Sequence, residues 1–106
     1  MDDTQKKISE VVASETIVAF VKGSREMPMC GFSKGVMDIL DSVGVKYKTV
    51  DVLSDAGIRD GIKQFTKWPT IPQIFLKGEF IGGFDIVRDL HERGELQTMV
   101  NEAVGK

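Results

Sequence analysis

Two segments with the composition of strands flank one segment with the periodicity of a helix, and this succession constrains the fold more than any other feature. The first strand segment, TIVAFVK at residues 16–22, is apolar and β-branched, and the second is KYKTVDV at residues 46–52. Between them, apolar residues from Phe32 to Val43 recur mostly at spacings of three and four, and Gly44 follows where a helix is expected to stop. A strand, a helix and a strand in this order predict parallel pairing through a right-handed crossover.

Further helices are predicted on both sides of this unit. Residues 4–14 place apolar side chains at helical spacing, and Ser54 or Asp55 can cap a third helix. The segment WPTIP at residues 68–72 is expected to be non-helical, because a residue before proline is pushed toward extended geometry.

The second half of the chain predicts a hairpin and two more helices. The segment QIFLKGEFIGG at residues 73–83 is typical of two antiparallel strands with a turn at residues 77–79. Asp85 is expected to cap a fourth helix, and Gly94 separates it from a last amphipathic stretch. The predicted order is α-β-α-β-α-β-β-α-α, which makes an α/β fold with a mixed four-stranded sheet and about five helices on its two faces.

Composition narrows the class of protein. A length of 106 residues favours one domain over residues 1–106, and the net charge of −2 gives no indication of a nucleic-acid partner. No apolar run approaches the ~20 residues of a membrane span. One cysteine and one histidine exclude an internal disulfide and a four-ligand Cys/His zinc site within one chain. The acidic, polar start MDDTQKKISE does not resemble a signal or transit peptide, so a reducing compartment is expected.

The single cysteine, Cys30, stands where the second helix is expected to begin. The thiolate is the form of cysteine that attacks and binds metals, and a helix N-terminus stabilises it through unpaired N–H groups. Here those donors are the N–H groups of Phe32 and Ser33, and Lys22 at the end of the preceding strand adds a positive charge. The sequence therefore predicts a lowered pKa for Cys30.

The alternative for this cysteine is a buried, inert side chain, which is common. The strand-loop-helix corner, with Gly31 allowing close backbone approach and Pro28 fixing the loop, favours a functional thiol. Ser33 occupies the position at which a C-x-x-C motif has its second cysteine. It is interpreted both as a first-turn residue that satisfies backbone donors and as the absence of a resolving thiol.

Four motifs resemble those of one known family. In chain order they are KGS at 22–24, CGFS at 30–33, WPTIPQIF at 68–75 and GGFDI at 82–86. Their order and spacing resemble the monothiol CGFS-class glutaredoxins over nearly the whole chain, from about residue 5 to 102. The loop between Lys22 and Cys30 is also longer than in dithiol glutaredoxins, which have the form K-x-x-C-P-Y-C. The resemblance implies a thioredoxin-like fold, in agreement with the predicted element order.

The resemblance also implies a glutathione groove beside the thiol. Cys30 would be the thiolate that meets the glutathione sulfur or iron, and Lys22 would lie near that sulfur and the glycine carboxylate. Arg59 would hold the same carboxylate, with help from Lys63. Without the resemblance, Arg59 and Lys63 would be interpreted as a solvated helix face, since exposed charges are the norm.

The other side of the implied groove comes from two later motifs. Ile71 would present its backbone to the glutathione cysteine, and Pro72 would be a cis-proline that shapes the groove. Phe84 and Asp85 would bind the γ-glutamyl end, through a backbone N–H and a carboxylate respectively. Many family members have cysteine where this chain has Phe84, so the internal disulfide that a second cysteine would allow is absent. The ring could also change which low-molecular-weight thiol fits.

Some of these residues also have purely structural interpretations. Asp85 could act only as a helix cap, Trp68 only as a core residue, and His91, the only histidine, is expected to be solvated.

A single thiol allows two main functions. A 2Fe–2S cluster normally takes four thiolates, so two chains and two glutathiones supply the simplest complete set. The resemblance implies the same cluster-bridged homodimer with a monomeric apo form, which delivers clusters to iron–sulfur acceptor proteins in cluster biogenesis and iron homeostasis, with BolA-like proteins as partners.

The alternative function is a glutathione-dependent thiol–disulfide oxidoreductase that uses Cys30, because solution glutathione can resolve the mixed disulfide. The resemblance predicts that this enzymatic activity is weak. A third hypothesis is a redox sensor whose Cys30 becomes glutathionylated. The expected location is the mitochondrial matrix for a eukaryotic chain with its presequence removed, and the cytoplasm otherwise.

Overall fold

The computed structural model describes residues 2–105, and its nine helices and strands follow the predicted order. The helices and strands are α1 (Asp3–Ala13), β1 (Ile17–Val21), α2 (Gly31–Val43), β2 (Lys48–Asp51), α3 (Ala56–Thr66), β3 (Gln73–Leu76), β4 (Glu79–Gly82), α4 (Phe84–Glu92) and α5 (Glu95–Ala103). Within this described part, no helix has the length and apolar character to cross a bilayer.

The four strands form one mixed sheet in the order β2-β1-β3-β4. β1 pairs with β2 in parallel, with Phe20 opposite Val50, as the strand-helix-strand unit predicts. β3 is antiparallel to both β1 and β4, and a register shift at Ile74 and Phe75 interrupts the β3–β4 ladder. The arrangement places β1 and β3 in the centre, where their ends can carry site residues on a rigid support.

Alternating side chains of β1 reach opposite faces of the sheet, as strand geometry requires. Ile17 and Val21 belong to the core beneath α2, α4 and α5, whereas Val18 and Phe20 belong to the core beneath α1 and α3. All five residues of β1 are buried, which explains the uninterrupted apolar character of the segment in the sequence. The sheet is therefore covered by helices on both faces, as predicted.

The predicted helix ends are confirmed in two cases and wrong in one. Gly44 ends α2 with a left-handed φ of 79°, and the Asp55 carboxylate caps α3 by accepting from the N–H of Ile58 at 3.1 Å. The prediction that Asp85 caps α4 is wrong. The cap is Gly83, which lacks a side chain to accept a bond, and Asp85 lies in the first turn, where its charge still favours the helix dipole.

The hairpin turn is shorter than predicted, because Glu79 already belongs to β4. Lys77 and Gly78 have φ values of 51° and 81°, and two central residues with positive φ are typical of a tight two-residue hairpin turn.

Candidate functional site: a thiol at a helix N-terminus

Cys30 lies at the corner between β1 and α2, half-buried at the N-cap position of the helix. Its backbone is extended, with φ −155° and ψ 133°, and its carbonyl accepts the first helical hydrogen bond from the N–H of Lys34 at 2.9 Å. The residue is therefore rigidly attached to α2, while its side chain remains accessible. This confirms its predicted position and excludes the fully buried alternative.

The surroundings of Cys30 stabilise the thiolate. The backbone N–H of Ser33 lowers the pKa of Cys30 most, partial burial opposes it, and the N–H of Phe32 and the charge of Lys22 lower the pKa further. The Cys30 side chain makes no capping hydrogen bond to α2 that meets strict geometric limits. The donors are nevertheless those that the sequence predicts, and the thiolate is the form that gains from them.

Ser33 connects the two halves of the corner. It is fully buried, and its hydroxyl accepts a hydrogen bond from the backbone N–H of Lys22 at 3.0 Å. Ser33 thus accepts a hydrogen bond from a backbone N–H, as predicted. The donor is the residue that follows β1, however, and not a residue of α2. Through this bond Ser33 fixes the position of Lys22 relative to the first turn of α2.

The loop before Cys30 is closed by its own hydrogen bonds. The N–H of Met29 donates to the carbonyl of Lys22 at 3.0 Å, and the N–H of Ser24 donates to the carbonyl of Met27 at 3.1 Å. Gly23 has a φ of 93°, and a Cβ there would collide with the backbone oxygen of Met27. Glycine is therefore required at this position, and the long loop is an ordered turn.

A second cluster holds the outer side of this loop. The Arg25 guanidinium lies 4.3 Å from the centre of the Tyr47 ring and 3.2 Å from the Asp41 carboxylate. The Tyr47 hydroxyl donates to Asp41 at 2.7 Å. Burial, and then the neighbouring Asp41, raise the pKa of Tyr47 to about 12. Arg25 thus links the loop to the end of α2 and to the residue preceding β2.

A groove of about 520 Å³ opens beside Cys30, which is within the size range of small-ligand sites. Seven of the eight residues predicted for the site line it. They are Lys22, Cys30, Lys63, Ile71, Pro72, Phe84 and Asp85. The groove brings together residues from five separate segments of the chain.

Arg59 is the one predicted site residue that does not line the groove. It is exposed on α3, one turn before Lys63, and its nearest acidic partner is Asp60 at 3.8 Å. In this conformation Arg59 belongs to a solvated helix face, so its role toward a ligand stays a prediction.

The loop between α3 and β3 forms one wall of the groove. The Ile71–Pro72 peptide bond is cis, as the resemblance implies, and both residues are buried. Trp68 is 37% exposed and also lines the groove, so its interpretation as a core residue only is wrong. His91 is exposed on α4, as predicted.

Comparisons with known proteins agree with this geometry. The glutaredoxin family model matches residues 17–81, which is more than half of the chain. This chain belongs to the glutaredoxin family.

Relatives of this glutaredoxin match almost its whole length. An uncharacterized monothiol glutaredoxin of Synechocystis sp. is 46% identical over 96% of this chain and 95% of its own. The holo form of glutaredoxin C1 from Populus tremula x tremuloides has a TM-score of 0.86 at 31% identity, over 96% of this chain and 99% of the other. A buckwheat glutaredoxin solved as a glutathione complex has a TM-score of 0.84 at 29% identity, over 94% and 89%. The fold is thus the thioredoxin-like fold of glutaredoxins.

Phe84 occupies a defined site in this glutaredoxin. Its ring lies against the backbone of Gly35 in α2, where an added Cβ would come within 2.6 Å of Phe84 Cε1. Its centre is 5.6 Å from that of Phe32, and the Arg88 guanidinium lies 5.4 Å away on another side. The ring therefore joins the first turns of α2 and α4 as an aromatic wall of the groove.

Several lining residues were not predicted as part of the site. They are Pro69, Thr70, Gly83 and Ile86, together with the side chain of Phe32, of which only the backbone N–H was predicted to act on Cys30. Each lies within two positions of a predicted site residue in the sequence, and this proximity is the signal that would have identified them. Phe32 is 61% exposed, which is unusual for an aromatic residue in a helix of apolar periodicity.

Proposed function

We propose that this glutaredoxin binds glutathione in the groove and carries a 2Fe–2S cluster between two copies of the chain, each contributing Cys30 and one glutathione. The observation that carries the proposal is the position of the only cysteine. Its thiolate is stabilised at a helix N-terminus, it lines an open groove, and its sequence neighbour at the second motif position is Ser33. Such a thiol needs partners from outside its own chain.

The charges in the groove suit glutathione. The tripeptide has two carboxylates and one ammonium group, so its site needs both cations and an anion. Lys22 and Lys63 provide the cations, and Asp85 provides the anion beside the N–H groups at the start of α4. The buckwheat glutaredoxin, which shares the fold, was solved as a glutathione complex. The ring of Phe84, which lines the groove, would influence which low-molecular-weight thiol fits.

The number of thiolate ligands that a 2Fe–2S cluster requires supports a cluster shared between two chains. A 2Fe–2S cluster takes four thiolates, and this chain has one cysteine. Two copies provide two thiolates, and two bound glutathiones complete the set. The donor fits, because Cys30 is a soft ligand, is accessible, and has a lowered pKa that eases loss of its proton. Ligands that can dissociate suit a carrier that must release its cluster to an acceptor protein.

The rim of the groove suits contact with another protein. Five large apolar side chains are exposed around it or in the preceding loop. They are Met27, Met29, Phe32, Trp68 and Ile86. Exposed apolar groups in one region are typical of interaction surfaces. We expect a second copy, and in turn BolA-like proteins or iron–sulfur acceptors, to cover this rim inside a reducing compartment, whether bacterial cytoplasm or mitochondrial matrix.

A second candidate function rests on the same thiolate. A lowered pKa and an open groove also favour attack on a protein–glutathione mixed disulfide, which a second glutathione would resolve. This glutathione-dependent oxidoreductase activity requires no second protein thiol.

Anaerobic reconstitution separates the two functions. Apo protein is mixed with iron, sulfide and glutathione, and its visible absorption and solution mass are followed, with Cys30→Ser as the control. A coloured dimer that needs glutathione and Cys30, and returns to a colourless monomer without them, is the expected result. A protein that stays a colourless monomer but reduces glutathione mixed disulfides efficiently would favour the oxidoreductase instead.

A further inference from the structure

Gln73 is a buried polar residue whose side-chain hydrogen bonds go to the last residue of α3 and to the loop that follows it, which forms a wall of the groove. Its side chain is fully buried, although it belongs to the central strand β3. Its amide nitrogen donates to the carbonyl of Trp68 at 3.0 Å and to that of Thr70 at 3.1 Å. Its amide oxygen lies 2.8 Å from the hydroxyl of Thr66, which in turn accepts from the N–H of Trp68 at 3.2 Å.

The loop at residues 67–72 has few backbone N–H groups of its own to pair with its carbonyls. Pro69 and Pro72 have no N–H, so residues 67–72 provide fewer backbone donors than an ordinary loop. A carbonyl without a partner inside a protein is costly, and one glutamine amide satisfies two of them.

We infer that Gln73 is a positioning residue, which holds the Trp68–Pro72 wall of the groove in the arrangement that accepts glutathione. Its own strand is fixed by pairing of Gln73 with Phe20 in β1, so the amide extends from a rigid support to the loop. The inference depends on the proposed function only for the identity of the ligand. The effect on the loop itself can be measured without any ligand.

The network is separate from the groups that set the chemistry of Cys30. The pKa of Cys30 is lowered by donors of α2 and by Lys22, whereas the hydrogen bonds of the Gln73 side chain go to Thr66, Trp68 and Thr70. A change at Gln73 should therefore weaken ligand binding while the thiolate titration stays as it is. A general loss of structure would change both.

The test replaces Gln73 with methionine, which has a similar length but no donor. Its probe is S-methylglutathione, which binds without thiol chemistry. If the binding-competent loop falls to about a tenth of the molecules, the apparent affinity falls about tenfold. Trp68 is the only tryptophan, so its fluorescence reports the loop directly. We expect acrylamide to quench it more strongly in Gln73→Met than in the unchanged protein.

Two further variants serve as a second perturbation of the network and as a control. Thr66→Val removes only the hydroxyl of the network and should change affinity and quenching in the same direction, by less. Gln5→Met is the matched control, because it removes a glutamine bond to the carbonyl of Gly61 at 2.9 Å, between α1 and α3 and away from the groove. This control should leave affinity and Trp68 quenching unchanged.

The outcomes are distinct. Tenfold weaker binding and stronger quenching in Gln73→Met, with an unchanged Cys30 titration, support the inference. Unchanged binding and quenching in folded Gln73→Met and Thr66→Val would overturn it. If the unchanged protein does not bind S-methylglutathione, the proposed function fails, and the quenching comparison alone decides the role of Gln73.

Discussion

The contact between Gly35 and Phe84 provides a quantitative test of how the groove wall is packed. A Cβ added at Gly35 would lie 2.6 Å from Phe84 Cε1 and 3.2 Å from Cδ1, so the ring would have to move in a Gly35→Ala variant. Phe32 and Arg88 flank the same ring, which limits where it can go.

Two effects of opposite sign determine the change in the free energy of unfolding. Alanine is favoured over glycine inside a helix by roughly 0.5–1 kcal/mol. Forcing extra atoms into a packed site costs roughly 1–3 kcal/mol. Because the separation is far below van der Waals contact, we expect the second effect to win, with a net destabilisation of about 1 kcal/mol.

The measurement is a double-mutant cycle by urea denaturation, with Gly35→Ala in the unchanged protein and in Phe84→Ala. Without the ring, Gly35→Ala should stabilise by roughly 0.5–1 kcal/mol, which gives a coupling of about 2 kcal/mol. Gly31→Ala is the control, because its added Cβ meets no atom within 4 Å. An equal stabilisation by Gly35→Ala in both backgrounds would show that the ring does not rest on Gly35.

Three further predictions concern the thiol corner and its support. Lys22→Gln should raise the pKa of Cys30, but not to that of a free thiol, because the N–H groups of α2 remain. The pKa can be measured from the ultraviolet absorbance of the thiolate, and an unshifted pKa would exclude a contribution from the Lys22 charge. Gly23→Ala should lower the free energy of unfolding by more than about 1 kcal/mol. The loss should exceed that of Gly78→Ala, because Gly78 has a similar φ but open space around it. Equal losses of stability in the two variants would mean that the loop adjusts freely. The Tyr47 pKa, raised from 10.0 to about 12, adds stability that is complete below pH 10 and lost as the pH rises toward 12. The difference in unfolding free energy between the unchanged protein and Tyr47→Phe should shrink over that range, and a constant difference would contradict the shift.

Local patterns were sufficient to predict the fold. The buried strand β1, the helix that Gly44 ends and the hairpin around Gly78 each have a signal that depends on a few neighbouring residues. Asp55 could be predicted as a cap for the same reason. The cap of α4 could not, because Gly83 has no side chain and the nearby Asp85 is an equally plausible candidate in the sequence.

The part of the site around Cys30 was predictable, because the chemistry of a thiolate requires particular groups at neighbouring positions. Cys30, Phe32, Ser33 and Lys22 follow from the requirement for a stabilised thiolate at a helix start. The groove residues of the later motifs came from the family resemblance alone.

Tertiary contacts explain what remained hidden. Gln73 begins a strand whose next three residues are apolar, and nothing in the local sequence shows that its amide is hydrogen-bonded to a loop. The contact of Phe84 with Gly35 joins two residues that are far apart in the sequence. The sequence does not show whether Trp68 lies in the core or in the groove, because the position of its loop depends on tertiary contacts.

The composition of the reconstituted complex tests the central claim most directly. Protein, iron, sulfide and bound glutathione are quantified in the coloured species after anaerobic gel filtration, alongside its native mass. We predict a dimer with one iron, one sulfide and one glutathione per chain, and none of these in Cys30→Ser. A coloured species that contains no glutathione, or one that forms equally in Cys30→Ser, would contradict the proposed cluster-bridged carrier.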